Sequence, residues 1–300
     1  MQKHTQLIAK EALMKFKKIV PYVLGAMLAL PLGAITSHNK DKENTETNKF
    51  ETKYKISAIK ESLYNLEQKV IEEKVELLIS NYIDNAVGGA KRIIANQKKN
   101  GYRSAVRREL PGAPVSQHCL YGQYTQLNRA IEQVGDTIQI IPKIGNSHMA
   151  TNSFKRCMTK MYDNPNYPNS IYKGRLYTTQ EEYTKARNRY IYSRMHSKKD
   201  TMGLHDKYTK DFAKNNYCVT DLNPGTIIIV SSGHAVMYLG IGKIKNDEFV
   251  PDENGRAVCC AYNGEHTAIY LSYWDTNNAF SADIQNIATQ KYITMLEKQY

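Results

Sequence analysis

Ile56, Ile59, Leu63, Leu66 and Val70 recur at spacings of three and four, which predicts an amphipathic helix. The stripe continues loosely to about Ile83, and Gly88 with Gly89 reads as a helix stop. Lys74 interrupts the heptad, so a long coiled coil is not expected. Residues 54–100 therefore predict a helical arm, either a spacer or an ordinary first helix of the main domain. Residues 37–53 are poor in apolar side chains and predict a solvated linker. Further on, Pro111, Gly112 and Pro114 exclude regular structure, and Ser116 is a candidate cap for a helix beginning near Gln117. Leu120, Tyr124, Leu127 and Ile131 share one face of that helix, and Gly135 ends it.

The pattern changes in the last hundred residues. "GTIIIVSS", "HAVMYLGIGKI", "RAVCCAYNGE" and "TAIYLSYW" are short β-branched or aromatic runs bounded by Asn-Pro-Gly, Ser-Gly and Asn-Gly. They predict an antiparallel meander or small barrel. A helix-rich half followed by a strand-rich half is an α+β architecture. The region 161–217 between them is polar, basic and Tyr-rich. There Lys185, Arg187, Arg189 and Arg194 interleave with Tyr183, Tyr190 and Tyr192. Interleaved bases and aromatics suit single-stranded nucleic acid, but a solvated helix with a tyrosine-packed inner face is the preferred reading.

The N-terminus adds a compartment. Lys15, Lys17 and Lys18 precede an uncharged run from Ile19 to Ser37, with "LGA" at 32–34 as a cleavage site. Residues 1–37 thus read as a signal peptide, or as a membrane anchor if uncleaved, with Met14 as an alternative start. Export to the periplasm, cell envelope or medium is expected, and nucleic acid is not an expected partner. Residues 19–37 would supply any membrane contact.

Charge and cysteine content narrow the chemistry. Lys and Arg number 41 against 29 Asp and Glu, a net charge of +12, which favours a polyanionic partner such as an anionic wall polymer. The 22 tyrosines against 6 phenylalanines and 1 tryptophan suit wet sugar or peptide surfaces as well as half-exposed strands. The 5 cysteines include no C-x-x-C pair, so a structural zinc site is not expected, and neither metal nor cofactor is required. Cys119 sits in the first turn of its helix, where unsatisfied N–H groups favour a thiolate. Its bland alternative is a small buried hydrophobe. His234 opens an apolar strand, and Asn263 ends the next one. Cysteine proteases and amidases need this set: a thiolate nucleophile, an imidazole that shuttles the proton and a polar group that orients it. Glu265 is the runner-up for the third role. Gln117 and His118 stand beside the thiol as possible oxyanion donors, while Trp274 and Asp275 are candidates for a substrate groove. Cys157, Cys218, Cys259, Cys260 and His148 rank lower; Cys157 has basic neighbours but no helix-start punctuation.

"NPGTIIIVSSGHAVMYLG" resembles the histidine strand pair of the NlpC/P60 and CHAP superfamily of peptidoglycan hydrolases, and "SQHCLYGQYTQLNRA" resembles its nucleophile helix. The resemblance covers roughly residues 105–275. It implies a papain-like fold over 101–300, with helices packed on an antiparallel sheet, preceded by a polar linker and helical arm over 38–100. It further implies catalysis by Cys119, His234 and Asn263; the "AYNGE" segment brings the match nearer to CHAP members. Cys119 and His234 stand 115 positions apart, more than a compact member needs, so the Tyr-rich region near 161–217 reads as an insertion. The expected function is cleavage of a peptidoglycan amide bond. Two alternatives stay open: a catalytically inactive wall-binding or envelope-anchoring protein of the same fold, and an antibacterial toxin that attacks a rival's wall.

Overall fold

The computed structural model describes residues 42–111, 118–142, 151–196, 203–230, 233–246, 248–262 and 277–298. The chain divides into two units, residues 1–63 and residues 64–300. The described part of the first unit is the opening stretch of helix α1 (Lys42–Asn100). That helix starts inside the segment expected to be a linker, because Lys and Glu are strong helix formers even without an apolar face.

Within the second unit, α1 continues and is followed by α2 (Tyr102–Glu109), α3 (His118–Gln133) and α4 (Thr151–Tyr162). Strand β1 (Ile171–Tyr177), α5 (Gln180–Met195), α6 (Leu204–Ala213) and β2 (Asn216–Cys218) come next. The chain then forms β3 (Ile227–Ile229), β4 (Ala235–Lys245), β5 (Glu248–Pro251), β6 (Arg256–Ala261), β7 (Ala279–Ala282) and α7 (Ile284–Glu297). The expected α+β composition is observed.

The seven described strands run in the order β2-β1-β7-β3-β4, and β4 carries both β5 and β6 on its far side. All pairs are antiparallel except β1 with β2, so the sheet is mixed. Within it β3, β4 and β6 pair antiparallel in chain order, as expected of a meander, and the fourth expected run, 267–274, lies outside the described residues. Strand β7 lies between β1 and β3, pairing Ile171 with Ala282 on one side and Ile227 with Ala282 on the other. The Tyr-rich region contributes β1 and β2 to this sheet.

Both faces of the sheet are covered. Ile227 and Ile229 enter a core cluster with α1, α2, α3, α4 and α7, whereas Ile228 and Val230 enter a second cluster with β2, α5 and α6. A strand buried on both faces reads as an unbroken apolar run, which explains "TIIIV". Along β6, Cys260 belongs to the first cluster and Cys259 to the second, so both are fully buried. On α5, Tyr183 and Tyr190 pack their rings on Phe212 at 5.4 and 5.6 Å, while Tyr192 stays exposed. This is the tyrosine-packed inner face expected of that segment.

The expected stop at Gly88 and Gly89 is not observed; α1 runs unbroken through both. A Cβ on Gly89 would stand 2.7 Å from both Gln126 Nε2 and Tyr262 Oη. Glycine here permits a close approach, which a local reading takes for a terminator.

Candidate functional site

Helix α3 carries Cys119 in its first turn, one residue after the helix begins. The helix is held from three directions. Towards α1, Tyr82 Oη donates to Gln123 Oε1 at 3.1 Å. Towards β6, Gln123 Nε2 donates to the Cys260 carbonyl at 3.3 Å. Towards α2, Arg129 Nη1 and Nη2 donate to Glu109 Oε1 and O at 2.9 and 3.0 Å. Gln123 and Gln126 are fully buried, where an unpaired amide would destabilise the fold. The bonds above satisfy Gln123, and Gln126 accepts from Arg129 Nη1 at 3.1 Å and donates to Glu109 Oε1 at 3.4 Å.

Tyr262 seats α3 against the sheet. Its ring lies so close to Gly122 that a Cβ there would stand 2.7 Å from Cδ2, and its hydroxyl donates to the Ala86 carbonyl at 2.6 Å. One buried tyrosine at the end of β6 therefore fits between Gly89 of α1 and Gly122 of α3. Glu109 completes the clasp, accepting two bonds from Arg92 at 2.8 and 2.7 Å. Burial pushes the Glu109 carboxyl upward, but bonds from Arg92 and Arg129 outweigh it and hold the group below its ordinary range. A second anchor ties Asp136, just beyond α3, to Lys74 of α1 and to the Tyr292 hydroxyl of α7, the latter at 3.0 Å.

Cys119 is half-buried, and its contacts are with the first core cluster. Its helix packs on β4, which His234 immediately precedes. A tight turn precedes β4: Gly233 has φ 79°, its N–H donates to the Val230 carbonyl at 2.8 Å, and Val230 N–H donates to the His234 carbonyl at 3.0 Å. The β4–β6 ladder reaches Val236↔Ala261, two positions after His234.

Burial lowers the His234 pKa from 6.5 to about 4. Position 234 also continues the alternation of Val236 and Tyr238, which belong to the second cluster, whereas Cys119 packs against the first. The fold thus brings the helix of Cys119 onto the strand that follows His234, while the alternation sets the two positions toward different clusters.

Gln117, Asn263, Glu265, Trp274, Asp275 and His148 lie outside the described residues. All five cysteines are free: Cys119 and Cys157 are half-buried, and Cys218, Cys259 and Cys260 are buried. Burial pushes the Cys259 thiol far up and the Cys260 thiol to about 12, so neither serves as a nucleophile. Among the described residues no cluster of three metal-ligating side chains occurs, and no helix is long and apolar enough to cross a membrane.

Sequence reading missed Tyr262, its two glycines and Glu109. Only the "GG" pair signalled any of them, and it signalled a stop. No protein-family model matches this chain, and comparison with curated proteins and with solved structures returns no match.

Proposed function

We propose that the protein is an exported cysteine hydrolase that cleaves an amide bond in peptidoglycan, with a papain-like arrangement of helix and sheet. The observation that carries this reading is the placement of Cys119 in the first turn of a sixteen-residue helix packed on the strand that directly follows His234. The N–H groups of that turn suit both a thiolate and the oxyanion of a tetrahedral intermediate. In the proposed reaction His234 takes the Cys119 proton as sulfur adds to the carbonyl carbon. The imidazolium then gives that proton to the leaving amine, and the C–N bond breaks to leave a thioester. Water, deprotonated by His234, hydrolyses the thioester and restores the thiol. Asn263 holds the imidazole tautomer. A histidine whose pKa lies near 4 is neutral at pH 7, the form that accepts a proton. The net charge of +12 favours an anionic wall.

The test is digestion of purified peptidoglycan by wild type and by Cys119→Ala, with products read by mass spectrometry. Release of muropeptides by wild type, reduced on the order of 10⁴-fold or more in the variant, is the expected result. Equal release by both removes Cys119 as nucleophile.

A second reading, a wall-binding protein without catalysis, is favoured by the strand alternation that groups position 234 with Val236 and Tyr238, in the cluster across the sheet from Cys119. For it, wild type and Cys119→Ala bind wall material equally, and neither releases fragments.

A further inference from the structure

The second face of the sheet carries a cavity of about 590 Å³ between β1, β3, β4, β6 and α5. Its size is that of small-molecule sites, which span roughly 300–1,000 Å³. The wall formed by the sheet is apolar: Ile228, Val230, Tyr238 and Cys259 line it, each no more than 3 % exposed. The rim is cationic, with Arg175, Lys185, Arg189 and Arg256 against a single acid, Glu182. Lys185 is already paired with Glu181 at 2.5 Å. Among the described residues no ion pair engages Arg175, Arg189 or Arg256. Arg175 lies over the Tyr177 ring at 5.0 Å, which supports its guanidinium at the cavity edge.

We infer that this cavity binds a small organic anion, a phosphate or carboxylate head carried on an apolar body. The head meets the guanidiniums of Arg175, Arg189 and Arg256, whose planar forks suit two-oxygen recognition of such groups. The body covers Ile228, Val230 and Tyr238. An inorganic anion would leave the apolar wall uncovered, and a neutral apolar guest would leave three guanidiniums without a counter-charge. The cavity lies across the sheet from the cluster that receives Cys119, and this inference does not rest on the proposed hydrolase activity.

Calorimetric titration of the full chain with four probes tests it. Dodecyl phosphate and 1-naphthyl phosphate share one head on a chain or a ring body; inorganic phosphate is the head alone, and 1-naphthol the ring alone. One organic phosphate at least should bind about tenfold or more tighter than inorganic phosphate and 1-naphthol. The preferred body then identifies the ligand class. Arg189→Gln with Arg256→Gln should weaken that binding about tenfold or more, and Ala186→Trp, which fills the cavity and keeps its charges, should abolish it. Cys119→Ala should bind as wild type. Inorganic phosphate binding as tightly as both organic phosphates, no binding of either, or unchanged binding in both cavity variants overturns the inference.

Discussion

Burial keeps the His234 imidazole neutral above about pH 4, and two consequences can be measured at that residue. The unfolded chain takes up a proton near pH 6.5, where the folded chain does not. Falling pH therefore favours the unfolded state between about 6.5 and 4. His234→Gln should flatten that part of the stability curve, seen as urea midpoints at pH 4.5 and pH 7 that differ less than in wild type. The other consequence belongs to the proposed reaction. If His234 is the base, the acid limb of kcat/KM should lie near pH 4 and not near 6.5. A limb at 6.5 would mean that the working imidazole is another or sits elsewhere. Thiols offer a third measurement at this scale. Cys119 and Cys157 should react with a water-soluble disulfide reagent in the native protein, while Cys218, Cys259 and Cys260 should wait for unfolding.

Among the elements, α3 depends on the fit of Tyr262 between two glycines. Alanine at Gly89 gains about 1 kcal/mol of helix propensity, yet its Cβ would stand 2.7 Å from Tyr262 Oη and Gln126 Nε2. Overpacking of this kind destabilises by about 1–3 kcal/mol, so the clash wins. Gly122→Ala meets the Tyr262 ring itself, a rigid neighbour, and should lose as much or more. Urea denaturation reads both; a stabilised Gly89→Ala would show that the helices can part without loss. Strands β3, β4 and β6 are legible in sequence because each is an apolar run between turn signals. Strands β2 and β7 are not, because three and four residues such as "NYC" and "AFSA" carry no period. They become strands because β1 offers pairing on both sides and β3 offers its other edge. The first turn of α3 was legible from its Pro and Ser punctuation. The glycine notch was not, because its meaning lies in Tyr262, far along the chain.

For the whole molecule, the order of the strands in the sheet differs from their order in the chain. Strand β7 fills a place between β1 and β3 and pairs with both. A ribosome makes every other described strand before it. Until residues 279–282 emerge, the β1–β2 pair and the β3-to-β6 group have no ladder between them, and the inner edges of β1 and β3 lack partners. Pairing between distant segments is slow because the loops must close first. Most of the chain can thus leave the ribosome before the sheet closes. A nascent chain stalled before residue 277 should remain sensitive to protease, and the same chain extended through α7 should become resistant.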